Sequence, residues 1–278
     1  MQKRNHFPKP LEAFLVIIAS LFFVVIITYT LSWLFISSPD ELKKNSIANK
    51  ILLTLGEAGL IIIPFIYVKS RQLSIKNVFR WNNIPNHLFL WSFIIGLSIS
   101  VIGDELDRLI SLIIPAPEFL GEIAESLQIG SATDFFILVL GAVIAAAFIE
   151  ESIIRGFLQT SLEKYQGVTH AVIYASLAWT IIHLMLYWAI QIFLLGIILG
   201  LLAWRSNSII PSVIGHATNN AAALIFYNIN QQKLIGVYLW GGHVSPLILA
   251  LAVVGLVYGI KQFYKYYRSD SELPYSLN

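Results

Sequence analysis

The sequence predicts an all-α protein, a polytopic transmembrane bundle of about eight helices forming a single integral membrane domain over residues 1–278. Three observations predict it. Charged residues make up 12% of the chain, about half the share of a soluble protein. Hydrophobic residues make up 57%, with mean hydropathy +0.73. Apolar stretches close to the roughly 20 residues of a membrane-spanning helix recur along the whole chain. Such a chain cannot cover a soluble surface of this size, so the lipid bilayer is part of its solvent. A cytosolic enzyme, a secreted domain and a disordered protein are excluded. The chain has no cysteine, which removes disulfides, thiolate metal sites and a cysteine nucleophile. A net charge of +2 gives no reason to expect a nucleic-acid partner.

The first span is expected at 13–36. Lys3, Arg4 and Lys9 precede it, but its apolar run is longer than the 7–15 residues of a signal peptide and ends in aromatics, so it is retained. The others are expected at 47–68, 88–104, 134–160, 168–187, 189–204, 208–227 and 245–264. The fourth exceeds what a bilayer requires, so its part from about Glu150 onward is expected to approach or leave the hydrocarbon. Alternate connecting segments differ in Lys and Arg. One set holds Lys3, Arg4, Lys9, Lys69, Arg71, Lys76, Arg80, Lys164, Arg205, Lys261, Lys265 and Arg268; the other holds Lys43, Lys44, Lys50 and Lys233. The positive-inside rule then places both termini in the cytoplasm.

Charges inside a membrane are costly and point to function. Asp104, Glu105, Asp107 and Arg108 lie at the end of the third span. Asp104 and Arg108, four apart, can pair on one helix face, as in a helix that leaves the membrane as an amphipathic turn. Glu57 stands alone between Gly56 and Gly59, open to either a structural or a functional role. A larger set lies further on: Glu150-Glu151-Ser-Ile-Ile-Arg155, then Trp179-Thr-Ile-Ile-His183, then His216-Ala-Thr-Asn-Asn220. Each contains a pair four residues apart, which shares a helix face. So many polar groups cannot face lipid, and they are expected to converge on an interior cavity.

Glu150 and Glu151 are consecutive and point about 100° apart. Arg155, one turn on, neutralises Glu151. Glu150 has no intrahelical cation, which suits a general base activating water. His183 can hold that water and relay a proton, while His216 and Asn220 can stabilise an oxyanion. These parts suffice for amide hydrolysis without a covalent intermediate. Two other readings stay open: a polar network fixing helix register, and a zinc site on Glu150, His183 and His216. The HExxH helix of common zinc proteases is absent, because no His-Glu pair occurs. Gly103-Asp104 lacks the earlier glycine of the Gly-x-Gly-Asp aspartic type, and no Gly-x-Ser-x-Gly elbow exists.

At these residues the chain resembles the CPBP (Abi) family of intramembrane proteases, which includes the type II CAAX prenyl endopeptidases. That family carries Glu-Glu-x-x-x-Arg, Phe-x-x-x-His and His-x-x-x-Asn or Asp on successive membrane helices. Glu150, Glu151, Arg155, His183, His216 and Asn220 match; Trp179 stands where phenylalanine is usual. The resemblance covers residues 134–227. It implies an intramembrane endopeptidase using glutamate-activated water, without metal or other cofactor, acting from a cytoplasm-facing cavity. It implies Glu150, His183, His216 and Asn220 as catalytic groups, supported by Glu151, Arg155 and Trp179. The implied partner is a membrane protein or lipidated peptide substrate, of CAAX type in some members. Members that act as non-catalytic scaffolds, and a transporter, are the competing class.

Overall fold

The computed structural model of the protein describes residues 7–36, 46–230 and 235–269. Lys3, Arg4, Lys43, Lys44 and Lys233 of the charge argument lie outside the described residues. Among the described residues, six helical stretches are long and apolar enough to cross a membrane: Pro10–Phe35, Ile47–Ser70, Asn86–Ser111, Ala132–Gln166, Leu186–Ser206 and Pro246–Tyr267. The protein is thus a multi-pass membrane bundle. All eight expected segments are helical, but two do not meet that standard. Val168–Ile182 is only 15 residues long. Ile210–Asn228 has 19 residues but carries His216, Thr218, Asn219 and Asn220. Both hold polar groups turned toward the protein interior, and so fall short in apolar length.

Local chemistry sets the breaks. Helix α1 (Pro10–Phe35) starts with Pro at its first position, and Glu12 accepts the Lys9 N–H at 3.1 Å. Helix α2 (Ile47–Gly59) is capped by Ser46, whose hydroxyl accepts the Asn49 N–H. It separates from α3 (Ile62–Ser70) at Leu60–Ile61. Pro64 has no N–H to bond the Leu60 carbonyl, which accounts for the break. After α4 (Ile75–Val78), α5 (Asn86–Ser111) runs seven residues past the expected end at 104, carrying the charged turn with it. A short α6 (Phe119–Ser126) follows.

The helix Ala132–Gln166 runs through the middle of the bundle. It consists of α7 (Ala132–Ile137), a π-helical stretch Leu138–Ala145, α8 (Ala146–Glu151), a second π-helical stretch Ser152–Leu158 and α9 (Gln159–Gln166). π-Helical turns are rare and frequent at functional sites, and here they flank the turn that carries both glutamates. Glu151 to Leu162 are all buried. Protein encloses this part as far as Leu162, and the end of the helix from Lys164 to Gln166 is exposed. Gly156 makes this possible, because a Cβ there would lie 2.7 Å from the Phe79 carbonyl oxygen. Glu163 pairs with buried Arg80 and accepts from Gln159.

Helix α10 (Val168–Ile182) returns alongside the long helix and stops where Leu184 takes a left-handed φ of 53°. Helix α11 (Ala189–Ser206) and α12 (Ile210–Asn228) follow. Gly96 of α5 meets Gly215 of α12 so closely that a Cβ would sit 2.7 Å from its carbonyl oxygen. A two-stranded hairpin, β1 (Leu239–Trp240) with β2 (His243–Val244), turns on Gly241 and Gly242, both at positive φ. The last helix, α13 (Pro246–Ser269), packs on α5.

The bundle has two distinct ends. Ser161 bonds the Pro8 carbonyl at one end, Asn82 bonds the Asn207 carbonyl, and the Arg205 guanidinium lies over Tyr264. Lys9, Arg71, Arg80, Lys164 and Arg205 gather there. At the other end Lys50 reaches Asp134 and the Gln128 carbonyl, each at 2.7 Å, and Gln128 bonds the Tyr227 carbonyl.

Candidate functional site

Glu150 lies 16 residues before Gln166, about 24 Å along the helix, and His183 lies about as far from Gly167 on the returning α10. The two antiparallel helices thus bring them to one depth. His183 Nδ1 is 2.7 Å from the Trp179 carbonyl oxygen. A carbonyl only accepts, so Nδ1 carries a proton, and in the neutral ring the lone pair lies on Nε2. That Nε2 faces Glu150 Oε2 at 3.8 Å, too far for a direct hydrogen bond.

Glu150 Oε2 also accepts from the Trp179 indole Nε1 at 2.5 Å. Trp179 is buried and central. Its ring carries the Arg155 guanidinium 4.4 Å from its centroid and meets His183 and His216 edge-on, with centroids 5.0 Å and 5.2 Å away. The family resemblance gives Trp179 a supporting role, in the place of a phenylalanine. The structure adds a hydrogen bond that phenylalanine cannot make. The signal was available: a buried indole N–H usually finds an acceptor, and Glu150 was an acceptor with no donor assigned.

Glu151 is fully enclosed. Its Oε1 lies 3.2 Å from Arg155 Nη1, in the expected one-turn pair, and accepts from His216 Nδ1 at 3.0 Å. Arg155 Nη2 donates to the Gly196 carbonyl. His216 therefore spends Nδ1 on Glu151, and its Nε2 can donate to an oxyanion only when the ring is protonated. Asn220 is placed apart from the carboxylates: its Nδ2 donates to the Ala142 carbonyl at 3.0 Å, two turns before Glu150. Ser152, inside the glutamate motif, is buried between the Trp81 indole, which donates to it, and the Phe148 carbonyl, which it bonds.

A small cavity of about 20 Å³ touches Glu150 and is lined also by Ile17, Ser20, Leu21, Leu60 and Ile182. It has room for about one water. Glu57 of α2 lies close enough to interact electrostatically with Glu150, and its Oε1 is buried without a hydrogen-bond partner. Among the described residues, no three His, Asp or Glu side chains are spaced to hold a metal ion.

A family model described as type II CAAX prenyl endopeptidase Rce1-like matches residues 132–222. That segment is similar to Rce1-like domains. The match covers about a third of the chain and is consistent with the CPBP (Abi) resemblance. The matched segment contains Glu150, Glu151, Arg155, Trp179, His183, His216 and Asn220, and its likeness is to CAAX-type proteases. No curated protein and no solved structure matches the chain. Glu57 and the charged turn Asp104–Arg108 lie outside the matched segment.

Proposed function

We propose that this protein is an intramembrane endopeptidase that hydrolyses a peptide bond of a membrane-associated substrate, of CAAX type or another lipidated peptide, with Glu150 as the base. The observation that carries this reading is the Glu150–His183 gap. Two proton acceptors face each other across 3.8 Å, one held by the Trp179 indole and the other by the Trp179 carbonyl. A water bound there gives a proton to Glu150 as its oxygen bonds the substrate carbonyl carbon. The tetrahedral oxyanion takes donors from protonated His216 and from the second Nδ2 hydrogen of Asn220, after the substrate has closed the distance. As the C–N bond breaks, the proton passes from Glu150, directly or through His183, to the leaving nitrogen. Glu151 and Arg155 hold His216 and Trp179 in place.

Glu150→Gln keeps the shape and an acceptor for the Trp179 indole but removes the base. In membranes from cells producing each form, peptide ends generated by the wild type are expected to disappear in the variant. Cleavage at a near wild-type rate would overturn the assignment.

The site is proposed to work from the cytoplasmic side, with both termini cytoplasmic. The gathering of basic residues at one end of the bundle supports this. A cysteine at exposed Lys164 is expected to react with an impermeant thiol reagent only after that face is opened, and one at exposed Glu125 in intact cells. The reverse pattern inverts the topology and moves the substrate to the exported side.

A further inference from the structure

A second cavity, about 410 Å³, lies between α5, α11 and α12 near the end of the bundle that holds the hairpin. None of Glu150, Glu151, Trp179, His183, His216 or Asn220 lines it. Its size falls in the range of about 300–1,000 Å³ typical of small-ligand pockets. Three charged side chains, Asp104, Asp107 and Arg108, line it. Arg108 is committed: Nε and Nη2 go to Asp104 at 3.1 Å and 3.3 Å, and Nη1 goes to the Gly242 carbonyl. Asp107 is held differently. Its Oδ1 accepts from the Trp188 indole at 3.2 Å and from Gln191 Nε2 at 3.3 Å. Both donors are neutral, and no Lys, Arg or His among the described residues lies within ion-pair distance of it. Asp107 is therefore the carboxyl on this wall that no cation pairs among the described residues.

The rest of the wall says what cation fits. Trp188, Phe226 and Tyr227 offer aromatic rings on the same cavity, and ring faces attract organic cations. Ile99, Ile192 and Leu195 supply an apolar floor. A metal ion would find too few oxygen ligands in such a wall, and an anion would be repelled. We propose that this cavity binds an alkylammonium group, its charge against Asp107 and the aromatic rings and its hydrocarbon part against the apolar floor. The group comes either from an amine-bearing lipid headgroup or from a free amine. The proposal does not depend on the peptidase reading.

The test uses the purified full-length protein in maltoside micelles, which contain no ammonium. Calorimetric titration with hexyltrimethylammonium is expected to show saturable one-site binding; hexanol, with the same chain and no charge, is expected to show none. Asp107→Asn is expected to weaken the cation at least tenfold. Gly103→Leu is expected to abolish binding by filling the cavity. Gly103 lines the wall, and a Cβ there meets no atom within 4 Å, so this variant keeps its fold even if Asp107→Asn does not. Equal binding of hexanol, or wild-type affinity in either variant, would overturn the proposal. With binding established, displacement of the probe by phosphatidylethanolamine identifies a lipid headgroup, and displacement only by free hexylamine identifies a soluble amine.

Discussion

Glu151–Arg155 and Asp104–Arg108 are the same motif in two settings. Each is a carboxylate four residues before an arginine on one helix, and the separations are nearly equal, 3.2 Å and 3.1 Å. The first pair has no exposure at all, whereas the side chains of the second are 25% and 22% exposed, arginine first. Beside each pair lies a second carboxylate that the arginine does not neutralise, Glu150 in one case and Asp107 in the other. Both of those are held by a tryptophan indole instead. Neutral donors fix a carboxylate without cancelling its charge, which leaves it able to act on a proton or a cation. Distance alone does not rank these sites. Burial decides what breaking each pair costs, and the neighbouring carboxylate decides what each site can do.

The largest expected effect comes from breaking the buried pair. Glu151→Ala leaves Arg155 and His216 without their acceptor in a dry interior. Removing one partner of a buried pair costs about 3–5 kcal/mol, so thermal unfolding in detergent is expected to shift down by many degrees, with poor yield of folded protein. Glu150→Gln, one residue away, is expected to unfold near the wild-type temperature. Equal stability of the two variants would erase the distinction between a supporting and a reacting glutamate.

The polar part of this arrangement was legible because helical spacing is rigid. Residues four apart had to stack, and the Glu151–Arg155 and Asp104–Arg108 pairs follow from that alone. Span count was less legible. Val168–Ile182 is cut short by a left-handed turn at Leu184, a conformation that leucine does not announce. The burial of Glu151 to Leu162 depends on Phe79 lying against Gly156, a contact 77 positions apart in the chain. The link from Glu151 to His216 and the separation of Asn220 from the carboxylates are likewise matters of tertiary packing. The hairpin was marked by Gly241-Gly242, but its strands are two residues each and were lost within a loop.

An intermediate effect is expected from Trp179→Phe. The ring that supports Arg155, His183 and His216 is largely kept, and only the N–H to Glu150 is lost. One hydrogen bond to a charged group is worth about 1.5–3 kcal/mol, so turnover is expected to fall by about tenfold or more, with a smaller loss of thermal stability. The ratio of the two losses carries the information. If stability falls while turnover of surviving protein is unchanged, Trp179 is a wall and Glu150 is positioned by other groups.

The smallest expected effect belongs to the partly exposed pair. Asp104→Asn removes the charge facing Arg108 but leaves an oxygen that can still accept. Arg108 also keeps the Gly242 carbonyl. Partly solvated pairs contribute about 0–1 kcal/mol, so the melting temperature is expected to move little. Raising the salt concentration should shrink the difference further, since water-accessible charges are screened within about 10 Å at 0.1 M. The Glu151→Ala loss should persist unchanged in the same salt series, because no ions reach that pair. If instead Asp104→Asn destabilises the protein as strongly as Glu151→Ala, then the cavity end of α5 is as dry as the bundle centre, and burial would no longer separate the two sites.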